Sequence, residues 1–322
     1  MFVVERRALA DTGLTLSRVG FGCWALGGGP WGPIDVAEAT AAVHLALDLG
    51  IDWFDTAPLY GHGAADELLV QALGSRRHEV VIATKVGVRF DAATDHAESL
   101  LTPEHLRADC EASLARLGVE RIDLLQVHWP CEHGTPLEDT VGALARLRDE
   151  GKIRAFGLCN YNAPGLTAAL EAEAQGVASL QSPLSLIRRE AEAALLPLCQ
   201  GRGLPFLAYE TLGRGLLTGK YTAPPRFDEH DLRARDPRFH GLAFVHHAAR
   251  GVTLRAIGKK IGASAAAVAT GWVLARPGVT HAIVGARSPA QVREAAVAPR
   301  LAAEARLWSV VDQALAQAPL RR

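Results

Sequence analysis

Residues 18–32 read RVGFGCWALGGGPWG, and the fold turns on how those glycines follow the apolar run at 18–22. A doubly wound dinucleotide-binding sheet wants GxGxxG directly after its first strand, opening a helix, with an acidic residue about 20 positions later. Here the run leads into Cys23, Trp24 and Ala25, and the glycines, although many, are wrongly spaced from the strand. No GK[ST] follows that would make a phosphate loop. The first strand therefore belongs to another α/β architecture.

Working outward, one pattern recurs. A short apolar strand is followed by a longer helical stretch rich in Ala and Leu. The strands read as 18–22, 52–55 (DWFD), 80–85 (VVIATK), 122–128 (IDLLQVH), 153–159 (IRAFGLC), 179–183 (SLQSP), 205–210 (PFLAYE) and 281–285 (HAIVG). Helices are expected at 36–50, 101–118, 137–151 and 190–201. Thr102 is placed as an N-cap, with Pro103 at the first helical position. Near-continuous apolar strands are those of a parallel sheet buried on both faces. Eight of them alternating with helices, with no long linker, predict a (β/α)8 TIM barrel occupying residues 1–322 as a single domain. Residues 2–22 read as an N-terminal β-hairpin leading into the first strand, and the stretch after Pro299 as an extra C-terminal helix with a short tail. The longest irregular stretch, between Leu216 and Val252, reads as an insertion over the barrel mouth.

The bulk numbers fit that picture. A hydrophobic fraction of 49% supplies a large core. Net charge is -1, which points away from nucleic acid and from a membrane surface as partners. From Gly251 onward there are 10 Lys/Arg against 3 Asp/Glu, a bias suited to an anionic ligand. Cysteines at 23, 110, 131, 159 and 199 are odd in number and lack CxxC spacing, which argues for a reducing, cytoplasmic setting. The start MFVVERRALADTG does not read as a secretory signal, and no apolar run is long enough to span a membrane.

In a barrel of this class the chemistry sits at the C-terminal ends of the strands. The second strand ends at Asp55, the third at Lys85 and the fourth at His128. One ionisable strand end is unremarkable; three on consecutive strands, about 4.8 Å apart, can converge on a small volume. Tyr60, on the loop leaving the second strand, reaches the same place. A phenol has a reference pKa of about 10, and a nearby ammonium lowers it. Lys85 could supply that charge, with Asp55 holding the lysine protonated and His128 hydrogen-bonding a carbonyl oxygen. Such a set polarises a carbonyl and protonates it, but it lacks a hydride source, which a nicotinamide cofactor would provide.

The motifs DTAPLYG, ATKVG, LLQVHWP, LARLRDEGKIRAFGLCNY, QSPLSL, AYETLGRGLLTGKY and IVGARSP, spread over nearly the whole chain, resemble the aldo-keto reductases. The resemblance implies an NADPH-dependent (β/α)8 reductase whose tetrad is Asp55, Tyr60, Lys85 and His128. Tyr60 would be the general acid. Asn160 and Gln181 would bind the nicotinamide carboxamide, and Tyr209 would stack on its ring. Glu210, Thr211, Leu212, Gly213, Gly215 and Leu216 would wrap the pyrophosphate. Gly285, Arg287, Ser288 and Gln291 would hold the adenosine phosphate and Glu294 the adenine, with Gly22, Cys23 and Trp24 adding to the cofactor wall. GARSP at 285–289 opens a helix, where free N–H groups favour an anion, so NADP is expected over NAD.

The sequence departs from the family pattern at three places. Cys159 stands where a serine is usual, and a thiol is a weak hydrogen-bond partner. Glu210 replaces a serine beside the pyrophosphate and would repel it unless paired, with Arg214 or Lys220 as candidates. Ala295 replaces an asparagine in the adenine site. Trp24, Trp31 and Trp129 are placed on loops lining the substrate pocket, where indole faces suit sugar rings or aromatic aldehydes. Trp53 reads as core, and His246, His247, Lys259 and Lys260 as solvated helix faces. His128, Cys131, Glu132 and His133 match no common metal spacing, and no metal is expected. The expected activity is hydride transfer between NADPH and an aldehyde, ketone or sugar. The alternatives are a cofactor-sensing barrel and a glycoside-cleaving one that recruits Glu210 or Glu132.

Overall fold

The computed structural model describes residues 4–91, 96–172 and 176–316. Its first element is an antiparallel hairpin, β1 (Arg6–Ala8) with β2 (Thr15–Ser17). Then come β3 (Val19–Gly22), β4 (Trp53–Asp55) and β5 (Val81–Val86). A second hairpin follows, β6 (Val88–Asp91) with β7 (His96–Ser99). The remaining strands are β8 (Ile122–Val127), β9 (Ile153–Cys159), β10 (Val177–Pro183), β11 (Phe206–Tyr209) and β12 (Val279–Gly285). Strands β3, β4, β5, β8, β9, β10, β11 and β12 pair in parallel, and β12 returns to β3 to close an eight-stranded barrel. The expected TIM barrel is the observed fold, and each expected strand lies within two residues of an observed one.

The helices are α1 (Val36–Asp48), α2 (Ala64–Leu73), α3 (Pro103–Leu117), α4 (Leu137–Asp149), α5 (Ala163–Ala172), α6 (Leu195–Gly201), α7 (Gly241–Ile261), α8 (Ala265–Leu274), α9 (Pro289–Ala302) and α10 (Ala305–Ala316). Their ends follow local chemistry. The Thr102 hydroxyl accepts from His105 N at 3.3 Å, as its expected N-cap role requires. Gly118, at φ +62°, stops the same helix in the left-handed conformation.

Strand alternation fills the barrel. Trp53, Ala83, Leu124, Ala155, Leu207 and Ile283 form one inward layer, and Leu9, Leu14 and Leu16 of the N-terminal hairpin close it from below. Trp53 is fully buried, as expected of a core residue, and donates from Nε1 to Ser17 O at 2.8 Å. It fits because β3 offers Gly20, where a Cβ would stand 2.2 Å from the indole. One layer higher, the same alternation turns Asp55, Lys85 and Gln126 inward. In β10 a register irregularity between Val177 and Leu180 lets both Ala178 and Gln181 face the interior.

Three expectations are corrected. The stretch 216–252 is irregular only as far as His240; α7 starts at Gly241. Its buried stripe of Phe244, Ala248, Gly251, Leu254 and Gly258 uses small residues, because a Cβ on Gly251 would meet Leu216 O at 2.3 Å. Small residues hide the apolar period. Residues 190–201 break into a short 3-10 turn at Glu190–Glu192 and then α6. Pro299 lies inside α9, and the expected extra helix follows as α10; the tail beyond 316 lies outside the described residues. His247 is half-buried, and burial followed by Arg250 pushes its pKa down to about 4; His246, Lys259 and Lys260 are exposed as expected. The hairpin β6–β7 was not anticipated.

Candidate active site

Asp55 ends β4 and is 3% exposed. Lys85, the penultimate residue of β5, is 1% exposed. The two meet across the barrel top, with Lys85 Nζ 2.8 Å from Asp55 Oδ2 and 3.0 Å from Thr56 O. A buried ammonium needs such partners. Burial lowers the Lys85 pKa, but Asp55 and then Tyr60 more than reverse this, so the ammonium is held above its usual range.

After Asp55 the chain turns tightly, with Tyr60 N donating to Ala57 O at 3.0 Å. This folds the phenol back over the lysine, with Lys85 Nζ 5.1 Å from the Tyr60 ring centroid. Gly61, at φ +62°, packs against Gly27, whose carbonyl oxygen lies 2.1 Å from where a Cβ would be. The Tyr60 phenol has its pKa raised by burial, against the downward pull of Lys85. Lys85 pulls in the expected direction, but burial outweighs it, and the resting phenol is protonated. His128 follows β8, its ring edge-on to Tyr60 at 6.0 Å. Burial and then Lys85 depress its pKa well below the usual value, leaving a neutral imidazole.

The other oxygen of Asp55 is held by two amides. Gln181 Nε2 donates to Oδ1 at 2.8 Å and Gln126 Nε2 at 3.3 Å. Gln181 thus turns its NH2 toward Asp55, while its Oε1 lies 3.6 Å from Cys159 Sγ. Burial pushes the Cys159 thiol up to about 12. Asn160 adopts a left-handed backbone at φ +64°, donates from Nδ2 to His128 O at 3.0 Å, and accepts the Tyr209 hydroxyl at 2.7 Å.

A cavity of about 670 Å³ opens above these groups, within the range of small-molecule sites. Trp24, Trp31 and Trp129 all line it, as expected. Trp24 stacks on Tyr60 at 6.0 Å and meets Trp31 edge-on at 5.1 Å; Trp129 stacks on His128 at 4.6 Å. Further out, the walls include Gly22, Glu210, Thr211, Leu212 and Gly215, and then Gly285, Arg287, Gln291 and Glu294. Four expected cofactor contacts stand back from this wall: Cys23, Gly213, Leu216 and Ser288. Cys23 is fully buried, Gly213 packs against Ile187, Leu216 joins Phe239 and Phe244 in a small apolar cluster, and Ser288 precedes α9 as its N-cap without a side-chain cap bond.

Glu210 is paired, but more richly than expected. Arg188 Nη1 lies 2.9 Å from Oε2, and Arg238 Nη2 and Arg214 Nε lie 2.6 and 3.2 Å from Oε1. Lys220 is not among these partners. Arg287 donates to the carbonyl oxygens of Trp31, at 3.0 Å, and Pro33, so it clips the end of β12 to the loop after β3. Sequence reasoning missed Gln126, Arg188, Arg233 and Arg238. Gln126 stands in an apolar strand two residues before His128, but neither it nor the arginines carries a local mark of its partner. Among the described residues, no cluster of His, Cys, Asp or Glu is arranged for a metal, and no helix is long and apolar enough to cross a membrane.

The model for the aldo/keto reductase family matches residues 18–314. The chain belongs to that family. It is 36% identical over 294 residues to aldo-keto reductase YhdN of Bacillus subtilis, covering 90% of this chain and 87% of that one. It is 32% identical over 304 residues to an NADH-specific methylglyoxal reductase of Escherichia coli, covering 90% and 92%. The glycerol dehydrogenase AKR11B4 of Gluconobacter oxydans superposes with a TM-score of 0.88 at 34% identity, over 99% of this chain and 97% of that one. The holo form of aldo-keto reductase AKR11C1 of Bacillus halodurans, at 23% identity and a TM-score of 0.77 over 97% and 96% of the two chains, shares the fold. As an aldo/keto reductase the protein is an oxidoreductase acting on small-molecule carbonyls with a nicotinamide cofactor.

Proposed function

We propose that this aldo/keto reductase is NADP(H)-dependent and that Tyr60 is its general acid. The observation that carries the reading is the Lys85 ammonium, fixed 2.8 Å from Asp55 and 5.1 Å from the Tyr60 ring. The cavity suits a dinucleotide. Its inner end is polar and aromatic, and the buried Thr211 hydroxyl and Trp31 indole N–H in its wall have no hydrogen-bond partner among the described residues. Lys220, Arg233 and Arg287 line its outer part and suit phosphates.

The reduced nicotinamide, when bound, supplies the hydride to the carbonyl carbon. The chain does the rest. Neutral His128 donates a hydrogen bond to the substrate oxygen and holds it by Tyr60. As that oxygen gains negative charge, the phenol gives up its proton, and Lys85, held by Asp55, stabilises the phenolate. The tryptophans shield the site and seat an uncharged aldehyde, ketone or sugar. Alcohol oxidation reverses each step through the same groups. NADP(H) is preferred to NAD(H) because of the cationic outer cavity; the Escherichia coli relative, named as NADH-specific, makes the direct comparison necessary. The glycoside-cleaving alternative loses its acid, since Glu210 is held by three arginines and Glu132 accepts from Ser99 N at 3.4 Å. Five free cysteines favour the cytoplasm.

Two measurements test the reading. Tyr60→Phe should lower aldehyde reduction by about 10²–10⁴-fold while cofactor quenching of tryptophan fluorescence is retained. Normal turnover in that variant removes Tyr60 as the acid, and cofactor binding without turnover in the parent enzyme favours a sensor. For the cofactor, kcat/KM is compared with NADPH and NADH. Equal values, or NADH ahead, overturn the NADP(H) assignment.

A further inference from the structure

We propose that Gln126 is a positioning residue that couples cofactor binding to the proton donor. It is fully buried, sits beside Lys85 in the β5–β8 register, and projects into space left by Gly157 on the next strand. A Cβ on Gly157 would lie 3.5 Å from Gln126 Cγ and 2.4 Å from Ser179 Oγ. Gln126 makes two contacts inside the barrel. Its Nε2 donates to Asp55 Oδ1 at 3.3 Å, and its Oε1 accepts from Gln181 Nε2 at 3.2 Å.

The chemistry of the partners fixes how these amides face. Asp55, ion-paired to Lys85, can only accept, so both glutamines must aim their NH2 groups at it. Gln126 then offers Gln181 a second acceptor for the same NH2 group. Gln181 is thereby locked with its carbonyl oxygen on the other side, the side that carries Cys159. A carbonyl oxygen there suits the NH2 of the nicotinamide carboxamide; a flipped Gln181 would set a donor against that donor and lose the bond. A continuous path results: carboxamide to Gln181, Gln181 to Asp55, Asp55 to Lys85, Lys85 to Tyr60. Gln126 holds the second link by both ends.

Gln126 therefore acts in two ways. It keeps Gln181 in its binding orientation, and it takes up part of the Asp55 charge. Without it, Asp55 draws more fully on Lys85, and the ammonium helps the Tyr60 phenolate less. This rests on the reading of Tyr60 and the nicotinamide site given above.

The test uses Gln126→Met, which keeps the bulk and removes both hydrogen bonds, and Gln126→Glu, which keeps an acceptor for Gln181 but sets a second carboxylate against Asp55. Each is compared with the parent enzyme for NADPH affinity by tryptophan fluorescence, for the pH at which alcohol oxidation accelerates, and for thermal midpoint. Gln126→Met is expected to weaken NADPH binding about 3- to 10-fold and to move the alkaline rise up by about half to one pH unit. Gln126→Glu is expected to bind NADPH close to the parent value yet move the rise at least as far. A purely structural residue would lower the thermal midpoint and leave the pH dependence in place. If Gln126→Met does not fold, the pH displacement in Gln126→Glu decides. A parent-like pH rise in the folded variants overturns the proposal. If the parent binds no dinucleotide, the preceding reading fails; if it binds and turns over while the variants match it, only this inference fails.

Discussion

Gly61 places the phenol. With φ at +62° and Gly27 O only 2.1 Å from its missing Cβ, no side chain fits without moving the turn that carries Tyr60. Gly61→Ala should lower stability by about 1–3 kcal/mol in urea titrations and cut reduction more than tenfold, because Tyr60 moves with it. A fully active variant would show that the turn has slack. Protonation can be read at the same scale. His128 is held neutral, its pKa depressed by burial and Lys85, so lowering the pH through about 6.5 should not charge it. The Tyr60 pKa is raised, so with Tyr60 as the proposed acid, reduction should stay flat from about pH 6 to 9, while oxidation, which would then use the phenolate, should speed up with pH. An acid limb near 6.5 that vanishes in His128→Gln would contradict the neutral imidazole. Asp55, Lys85 and His128 were legible because ionisable groups ending apolar strands are conspicuous. Gln126 was not, since an uncharged amide inside a strand gives no local sign of the carboxylate it serves.

Among the elements, the turn after β11 is tied to the loop before α7 by charge. Glu210, with φ at +58°, gathers Arg188, Arg214 and Arg238, and Arg214 and Arg238 also reach Asp236 at 3.1 and 2.7 Å. The arginines are partly solvated, so the network is worth less than its number of contacts suggests. Glu210→Ala leaves Arg188 without this carboxylate and leaves Asp236 alone to hold Arg214 and Arg238. It should cost about 1–3 kcal/mol and speed proteolytic cutting between residues 213 and 240 several-fold, with cleavage sites mapped by mass spectrometry. Unchanged cutting would show that the loop is held by the apolar contacts of Phe239 and Phe244 instead. Glu210 was visible in the sequence as an unusual carboxylate, and Arg214, four residues on, was a natural partner. Arg188 and Arg238 come from segments 22 and 28 residues away, brought close by the pairing of β10 with β11 and by the folding-back of the loop before α7. The hairpin β6–β7 escaped for a different reason: β6 alternates over only four residues, VRFD, and β7, HAES, offers a single apolar residue.

For the whole molecule, strand and helix order was readable because a parallel barrel demands eight buried apolar runs. The sealed lower end was legible only as a hairpin of unstated purpose. There His281 is fully buried, edge-on to Trp53 at 5.9 Å. Burial pushes its pKa down to about 4, with Arg18 and Arg7 also disfavouring its charge. A depressed histidine pKa means the unfolded chain binds the extra proton first. Its contribution is thus complete above about pH 6.5 and is lost as the pH falls toward 4, amounting to about 3 kcal/mol. Urea midpoints should fall across that window, and His281→Leu should flatten the fall; an unchanged slope would assign it to other groups. The Arg287 clip has a consequence for synthesis. The polar groups at the centre of the site, from Asp55 to Gln181, emerge from the ribosome about 100 residues before β12. Until β12 arrives and Arg287 fastens it to the loop after β3, the barrel is an open sheet with two raw edges. A nascent chain stalled before residue 279 therefore already carries the residues proposed for proton transfer but has no dry interior around them, and its exposed edges are what a chaperone would meet.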